Sequence, residues 1–402
     1  MPNDHLAAAV RRVVSSDNCS GCGGCALIDK RISMSLSAEG FDRPIVTPGE
    51  GGSSRDAARR FRRVCPGARL DAPPTSAHEH ATFGRYWSAW QGAAADEEIR
   101  RAGSSGGVLT ALSTWLVETG RSSAVASAAS GENDPRRTVP VRITSRAEAL
   151  RAAGSRYAPV PTLDGWDPDS DQAVVAKPCE VAAARAIALE RGHSAPILLS
   201  FFCAGTPSQR ATNHLIETLL PDSRGSEIVA LQYRGDGWPG RFRVRTSAGN
   251  EGTCSYEESW GNHLGTDLQW RCKLCVDGTG MSADIAVGDF WEADERGFPL
   301  FAEGEGNSVV LARTERGHDL LTAAARDGVI VLRSVDLDDV ARIQPLQTNR
   351  RAVLGGRILG RLLAFRRTPR YYGYGVISRA IKAPMATAKA AVGTLTRTIG
   401  MR

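Results

Sequence analysis

The chain has 402 residues, of which 42% are hydrophobic and 23% are charged, as in an ordinary soluble globular protein of two or three domains. Its net charge of +6 is unevenly spread, because residues 341–402 contain thirteen of the 50 Lys and Arg residues and no Asp or Glu. The first 340 residues carry the other 37 basic side chains and all 44 acidic ones. The C-terminal tail therefore differs in charge from the rest of the chain.

The N-terminal segment MPNDHLAAAVRRVVSSD has neither the apolar core nor the cleavage site of a secretory signal. No apolar run reaches the roughly 18 residues of a transmembrane helix, so we expect a cytoplasmic protein. Thiols stay reduced there, and clustered cysteines more often bind metal than form disulfides. The chain has nine cysteines: Cys19, Cys22, Cys25, Cys65, Cys179, Cys203, Cys254, Cys272 and Cys275.

The first three cysteines follow a C-x2-C-x2-C pattern in NCSGCGGCALI, residues 18–28. Bacterial ferredoxins continue such a run to a Cys-Pro pair, and Cys65 also precedes a proline. We predict that Cys19, Cys22, Cys25 and Cys65 bind a [4Fe–4S] cluster, with backbone N–H groups of the intervening glycines near the sulfurs. Structural zinc, the alternative, usually takes two separated pairs of ligands. Free cysteines in a loop are the third interpretation.

Apolar residues fall on one helical face in AGSSGGVLTALSTWLVETG, residues 102–120, which predicts a helix. AVVAKP (173–178), EVAAARAIALERG (180–192) and APILLSFF (195–202) predict a strand, a helix and a strand. Such a unit joins two parallel strands by a right-handed crossover. Together with a strand at SADIAVGDFW, residues 282–291, these patterns predict a mixed α+β or α/β fold.

Two further cysteines follow the two strands of this unit. Because parallel strands end at the same edge of a sheet, we expect Cys179 and Cys203 to be neighbours. Cys179 also opens a helix, where the dipole favours the thiolate. With the C-x2-C pair Cys272 and Cys275, they make a second predicted [4Fe–4S] ligand set. The alternative is that Cys179 and Cys203 are ordinary core residues, as we expect for the remaining Cys254.

Iron–sulfur clusters carry single electrons, and a protein that also handles hydride normally uses a flavin as the converter. Four stretches offer groups suited to a flavin or its phosphates: GSSGG before the first predicted helix, GSRY at residues 154–157, Lys177, and the loop YRGDGWPGRF at residues 233–242. Each signal is weak alone, since Ser and Gly begin many helices and the last loop is equally well a plain turn.

From about Asn18 to Leu332, the chain resembles the coenzyme F420 hydrogenase/dehydrogenase beta-subunit family. The resemblance is carried, in this order, by CSGCGGC…VCPG, GSSGG, GSRY, KPCE, FFCAGTPS, YRGDGWPG, CKLCVDGTGMSADIAVGDFW and GNSVVLARTERG. It implies FAD, one or two [4Fe–4S] clusters and coenzyme F420 as hydride donor or acceptor. The family commonly has Gly-Ser-Lys-Tyr where this chain has GSRY, so Arg156 keeps the charge but not the geometry.

Carried onto this chain, the resemblance assigns the second cysteine set to the cluster beside the flavin and the N-terminal set to another cluster. Because the cofactors would carry the chemistry while the protein supplies position and electrostatics, we assign no catalytic acid or base. The FAD contacts that the resemblance implies are Ser104, Ser105, Gly106, Gly107, Ser155, Arg156, Tyr157 and Lys177.

The favoured interpretation is an oxidoreductase that passes hydride and electrons between F420, FAD and an iron–sulfur chain leading to a partner or substrate. A second is a ferredoxin-dependent reductase of a small organic substrate. A third is a non-catalytic electron-relay or metal-binding module.

We expect an N-terminal ferredoxin-like iron–sulfur segment with a linker (residues 1–82), a mixed-sheet catalytic domain binding FAD and iron–sulfur (83–335) and a basic C-terminal extension (336–402). Three interpretations of this basic tail stay open: peripheral contact with the inner face of a membrane, docking of an acidic redox partner, and a solvated extension. Nucleic acid is not expected.

Overall fold

The structure is a computed structural model that describes residues 4–48, 55–73, 77–223, 225–294, 300 and 303–400. Short 3₁₀ or π turns occur at Pro221–Ser223, Ser259–His263 and Leu264–Thr266. The α-helices among these residues are α1 His5–Ser15, α2 Arg55–Val64, α3 Glu97–Ala102, α4 Val108–Glu118, α5 Arg146–Arg151, α6 Pro178–Glu190, α7 Gln209–Leu219, α8 Tyr256–Glu258, α9 Trp270–Lys273, α10 Glu315–Arg326, α11 Leu337–Arg342, α12 Pro345–Leu363, α13 Val376–Lys382 and α14 Pro384–Gly400.

Within the described residues, the strands belong to one large sheet and four small ones. They are β1 Ile32–Leu36, β2 Asp42–Val46, β3 Arg69–Asp71, β4 His78–His80, β5 Gly84–Tyr86, β6 Ser88–Ala94, β7 Val125–Ser130, β8 Thr138–Ile143, β9 Ala173–Ala176, β10 Leu198–Phe201, β11 Ile228–Gln232, β12 Arg241–Thr246, β13 Glu251–Ser255, β14 Ile285–Asp289, β15 Ser308–Ala312, β16 Ile330–Ser334 and β17 Arg370–Tyr372.

The large sheet is mixed, with strand order β16-β6-β15-β14-β10-β9-β7-β8. Its centre, β14-β10-β9-β7, is parallel, and antiparallel strands complete both edges. The predicted β–α–β unit is confirmed as β9, α6 and β10, with Leu199 opposite Val175. The predicted helix and the later strand are α4 and β14. The mixed α/β class that the sequence predicts is therefore correct.

Both faces of the central strands are buried, as is usual for parallel strands. On one face, α4 and α10 bury Leu112, Leu116 and Leu321 in the same cluster as Leu199 and Ile285 of the sheet. On the other face, α6 packs beneath residues of the N-terminal segment. Because side chains alternate along a strand, β9 contributes to both clusters.

The N-terminal segment has a small core of its own. Leu6 and Val10 of α1 pack with Ile32 of β1 and Phe61 of α2. Cys22 and Val64 of the segment join instead the apolar cluster around α6. The segment is thus fixed directly on the helix that follows β9.

The stretch 71–82, predicted to be a linker, is partly ordered into strands. His78–His80 forms a hairpin with Gly84–Tyr86, and Asp71 lies in β3, which pairs with β17 of the tail. No local sequence pattern indicates the pairing of β3 with β17, because the two strands lie about 300 residues apart along the chain.

The basic tail is not a solvated extension. Leu354 of α12 is buried with Leu70 and Val276 of the body, and the guanidinium groups of Arg350, Arg351 and Arg361 are buried with it. No helix in the described part of the chain is long and apolar enough to cross a membrane.

Arg361 supplies a direct test of this packing. Its side chain is 1% exposed, donates to the Ser16 carbonyl over 2.8 Å and lies 4.5 Å from the centre of the Trp270 ring. We predict that Arg361→Ala lowers the free energy of unfolding by about 2 kcal/mol, because a buried charged hydrogen bond is lost. Chemical denaturation of the two proteins measures the difference.

Lys389→Ala is the matched control, since Lys389 is an exposed cation of the same tail. It should change the unfolding free energy by less than about 0.5 kcal/mol. Equal effects of the two variants would contradict a structural role for Arg361.

Candidate functional site

The four cysteines of the N-terminal set line one cavity. Cys19, Cys22 and Cys25 come from the loop after α1, and Cys65 follows the end of α2. Apolar side chains complete the wall, among them those of α1 and α2 that form the small N-terminal core. The excursion between Cys25 and Cys65 is therefore folded so that its end returns to the first cysteines.

Backbone N–H groups reach these sulfurs as predicted for the glycines. Gly21 hydrogen-bonds the Cys19 sulfur, and Gly24 that of Cys22. Burial nevertheless dominates: it raises the pKa of the Cys22 thiol to about 11 and raises the pKa of Cys65 further. These thiols stay protonated at neutral pH unless a cation compensates the thiolates, as a bound metal does.

The second set, Cys179, Cys203, Cys272 and Cys275, lines a second cavity. Cys179 lies in the first turn of α6 just after β9, and Cys203 lies just after β10. The parallel pairing of these strands brings the two residues to one edge of the sheet. Cys272 and Cys275 reach the same cavity from α9 and the turn after it.

The helix dipole at Cys179 does not control that thiol. Burial raises its pKa well above the usual range, and the nearby Glu180 carboxylate raises it further. The expected stabilisation of the thiolate by the start of α6 is therefore outweighed, because desolvation of a buried charge exceeds the effect of one helix terminus. Burial likewise raises the pKa of Cys203 to about 12.

Cations surround the second cavity. Arg271 and Arg350 line it, and their side chains are almost fully buried. Arg350 donates to the carbonyl of Cys203 over 2.6 Å and to that of Ala204 over 2.5 Å. Arg271 donates to Leu274 and Pro66, while its buried Nε has no partner in the described structure.

Lys177 is the third buried cation at this edge of the sheet. Its ammonium group contacts the Glu180 carboxylate at 2.8 Å and donates to the Val160 carbonyl. Burial works against its charge, but the Glu180 carboxylate and the charge of Cys179 more than compensate, so the pKa of Lys177 is raised. Lys177 therefore stays charged beside the cavity, although it already has protein partners.

The two cavities are adjacent. Ser20 lines both of them, and its carbonyl accepts a hydrogen bond from Gln269 of the second cavity wall. Arg271 of the second cavity donates to the Pro66 carbonyl, and Pro66 lines the first. A single layer of protein thus separates the two cysteine sets.

Neither set converges on one point. Among the described residues, no three His, Cys, Asp or Glu side chains are grouped as they are around a single metal ion. Cys254 lies apart from both sets, buried in the core of the β11–β13 sheet with Phe242 and Val244.

Three of the stretches singled out for a flavin meet in space. The Ser155 hydroxyl donates to that of Ser104 over 2.7 Å, and the Ser155 backbone bridges to Arg234. Gly237 of the same loop donates to the Arg101 carbonyl. GSSGG, GSRY and YRGDGWPG therefore form one loop cluster at the start of α4.

Several of the residues predicted to contact the flavin make hydrogen bonds or packing contacts with other parts of the protein. Ser105 donates to the Asn307 carbonyl, and the Gly106 N–H to the Ser308 hydroxyl. A Cβ at Gly106 would lie 2.6 Å from the Gly92 carbonyl oxygen, so this glycine allows close packing against β6. Gly107 begins α4 with φ +72°, and no side chain caps the helix.

Arg156 is held in the same way. All three guanidinium nitrogens donate hydrogen bonds to protein oxygens. The acceptors are the Thr138 hydroxyl and the carbonyls of Leu231, Pro135 and Arg137. Its geometry favours a role in fixing this loop cluster. Tyr157 is half-buried among aromatic rings, 5.1 Å from the centre of Trp260.

Arg234 lies at the centre of these rings. Its guanidinium is within about 5 Å of the ring centres of Trp238, Tyr256 and Trp291 and contacts the Asp289 carboxylate at 2.7 Å. The loop at residues 233–242 was equally consistent with a plain turn and with a flavin-binding site. In the structure, its Arg234 forms an ion pair with Asp289 and is packed among aromatic rings.

Sequence reasoning missed Arg271, Arg350 and Ser20. Arg271 directly precedes Cys272, so its position beside a cysteine pair was a usable signal. Arg350 had none, because it lies about 150 residues from Cys203 in a tail that is basic throughout.

Comparison with known proteins identifies the body of the chain. Two segments match the family described as coenzyme F420 hydrogenase/dehydrogenase, beta subunit: residues 89–165 match the N-terminal part of that family and residues 169–338 match its C-terminal part. These two segments make up more than half of the chain. The N-terminal cysteine set and most of the tail lie outside them.

Individual relatives agree. The beta subunit of coenzyme F420 hydrogenase from Methanococcus voltae is 25% identical over 69% of this chain and 98% of its own length. The F420-dependent formate dehydrogenase beta subunit from Methanocaldococcus jannaschii is 27% identical, over 60% of each chain.

A chain of the F420-reducing [NiFe] hydrogenase complex from Methanosarcina barkeri shares the fold. It superposes with a TM-score of 0.52 at 24% identity, covering 68% of this chain and 91% of that one. The protein therefore belongs to the coenzyme F420 hydrogenase/dehydrogenase beta-subunit family.

Proposed function

We propose that the protein is a flavin- and iron–sulfur-dependent oxidoreductase that exchanges electrons between coenzyme F420 and a redox partner. Membership of the family supports the F420-linked oxidoreductase class. The proposal that the protein uses a flavin and iron–sulfur clusters rests on one observation. Eight cysteines line two adjacent cavities, with four cysteines at each cavity.

The donor sets fit [4Fe–4S] clusters. Four cysteine ligands are the usual complement of such a cluster, and each cavity offers four. The buried Arg271 Nε, which has no partner among the described residues, offers a further donor at the second cavity. Its charge and that of Arg350 would offset the negative charge of four thiolates.

The adjacency of the cavities supports passage of electrons between them. When bound, the clusters supply one-electron transfer, and a flavin supplies exchange between hydride and single electrons. The protein's own contribution is to fix the two sulfur sets on either side of Ser20.

Part of the proposed FAD site fits an anionic ligand. The start of α4 has no side-chain cap, so its first N–H groups are suited to a phosphate. Ser104, Ser155 and Tyr157 are half-buried beside it and are the best placed of the implied contacts. Ser105, Gly106, Gly107 and Arg156 would act mainly by holding this shape. Lys177, in contrast, lies beside the second cavity, where it contacts Glu180 and Val160.

A partner protein would complete the electron path. The relatives are named as beta subunits of hydrogenase and formate dehydrogenase, which supports a second redox protein here. We propose residues 83–335 as the catalytic domain and 1–82 as the segment that carries electrons to that partner. Ferredoxin stays the alternative electron partner.

The two cysteine sets predict the iron content of the protein. Anaerobically purified protein should contain about eight irons, eight sulfides and one FAD per chain, as two [4Fe–4S] clusters and a flavin require. Cys65→Ser and Cys203→Ser should each lose about four irons, because each removes one ligand from a different set. Iron, sulfide, zinc and flavin are measured on the same samples.

Cys254→Ser is the control, because Cys254 lies in the core of the small sheet away from both cavities. It should keep its full iron content. Zinc without flavin in the unaltered protein would rule out this oxidoreductase proposal.

Another prediction concerns the cation supplied by the tail. Arg350→Gln should shift the reduction potential of the second cluster to more negative values, on the order of 50 mV, because a nearby positive charge favours the reduced state. Redox titration followed by electron paramagnetic resonance measures it. Arg370→Gln, at an exposed tail position, should leave the potential unchanged, and equal potentials in all three proteins would contradict the assignment.

A further prediction tests the activity. The protein with full iron and flavin content should oxidise reduced F420 with an artificial one-electron acceptor under anaerobic conditions. Loss of ligands in Cys203→Ser should abolish this rate, because the path from flavin to acceptor is broken. If the unaltered protein reacts with reduced ferredoxin but not with F420, the ferredoxin-linked alternative replaces this one.

A further inference from the structure

Exposed apolar side chains are concentrated in the tail. Of the seventeen large hydrophobic side chains that the described part of the chain exposes, eleven lie between Leu346 and Ile399, a stretch of 54 residues out of 402. Isolated exposed apolar residues are normal on a protein surface, whereas a concentration of them marks an interaction site.

Five of these side chains form a stripe on α13 and α14. They are Ile377, Ile381, Met385, Val392 and Ile399, and between 61% and 87% of each side chain is exposed. The spacing of four residues between Ile377 and Ile381 keeps them on one face of α13, and spacings of seven keep Met385, Val392 and Ile399 on one face of α14. The opposite face of α14 is buried through Ala391, Thr394 and Thr398.

A second group lies at the end of α12. Leu362 and Leu363 are half exposed, and Phe365, which follows the helix in a left-handed conformation with φ 56°, is 98% exposed. An aromatic residue that combines positive φ with nearly full exposure is unusual for a folded chain. The structure therefore holds this ring in solvent.

The two groups belong to one layer of the molecule. Gly356 and Gly360 of α12 approach the backbone of Thr387 and Ala391 in α14, so closely that a Cβ would lie 2.1 and 2.3 Å from their carbonyl oxygens. The residue numbers increase together, so the two helices run parallel, and the end of α12 lies beside the C-terminal half of α14. We define the tail surface as Leu362, Leu363 and Phe365 with the stripe of α13 and α14.

The charged side chains that this segment places beside the tail surface are all basic, and one of them, Arg379 of α13, contacts Glu79 of the body. Lys382, Lys389 and Arg397 are exposed on the helices that carry the stripe, and Arg366 and Arg367 follow Phe365 directly. No Asp or Glu occurs between residues 341 and 402. Any anionic partner therefore meets no opposing carboxylate from this segment.

We infer that the tail surface binds the anionic face of a lipid bilayer, with the apolar stripe in the headgroup region and the cations against lipid phosphates. Amphipathic basic helices on the outside of a protein bind membranes in this way. The stripe consists of Ile, Met and Val side chains, without the Tyr and Trp anchors typical of protein interfaces. The inference does not depend on which cofactors the protein binds.

Co-sedimentation with vesicles tests the inference on the full chain, since removing the tail would also remove the packed helix α12. The protein should bind vesicles of phosphatidylcholine with phosphatidylglycerol at low salt, and bind pure phosphatidylcholine vesicles at least about tenfold more weakly. Combining Lys382→Glu, Lys389→Glu and Arg397→Glu should reduce binding about a hundredfold. Combining Ile381→Ser, Met385→Ser and Val392→Ser should reduce it at least about tenfold.

The matched control combines Ile45→Ser, Leu189→Ser and Val331→Ser, which are similarly exposed apolar residues outside the tail. It should bind vesicles within about twofold of the unaltered chain, and circular dichroism should show all variants folded. Failure to bind anionic vesicles, or equal loss in the control, overturns the inference. A dimer that the tail variant abolishes, without vesicle binding, assigns the surface instead to a second copy.

Discussion

The rest of this structure depends on one constraint: cysteine sulfurs that can become thiolates are buried in the protein. A buried thiolate is unfavourable unless a nearby cation or metal compensates its charge, and eight cysteines here lie at buried or half-buried positions around two cavities. Each thiol of the second set for which a change is resolved has a raised pKa, with burial as the leading cause. Burial therefore disfavours the thiolates of Cys179, Cys203 and Cys275, and a bound metal would compensate their charge.

The arginines are the second half of that arrangement. Arg271 and Arg350 reach the second cavity, and both are fixed by donating to backbone carbonyls. Such bonds hold a guanidinium without neutralising it, so its full charge stays available to whatever occupies the cavity. Because Arg350 comes from α12, the tail completes a site whose cysteines are placed by the strands of the large sheet and by α9.

Local patterns in the sequence were sufficient for the centre of the fold. The β9–α6–β10 unit could be predicted from periodicity and a proline, and the rule that parallel strands end together then placed Cys179 beside Cys203. What could not be predicted depends on distant packing. The pairing of β17 with β3, the burial of Arg361 on Trp270 and the shared wall at Ser20 each join segments that no local pattern relates.

The flavin motifs show a different limit. A Ser-Gly-rich start of a helix predicts a phosphate site, but the same residues also allow close packing, and here Gly106 lies against Gly92 while Arg156 donates only to protein oxygens. The sequence indicates which Ser, Gly and Arg residues could bind a ligand. Only their contacts in the structure show whether they are free to do so or are bonded to other parts of the protein.

The tail can now be separated into two groups of cations. Arg350, Arg351 and Arg361 point inward, where they satisfy carbonyls of a body that is acidic overall, so folding accounts for them. Lys382, Lys389 and Arg397 point outward, and folding does not account for them. They share their helices with aliphatic side chains that the fold also leaves exposed. Contacts with the body of the protein account for the inner face of the tail. The outer face is both apolar and cationic, and binding to an anionic surface outside the chain accounts for this combination.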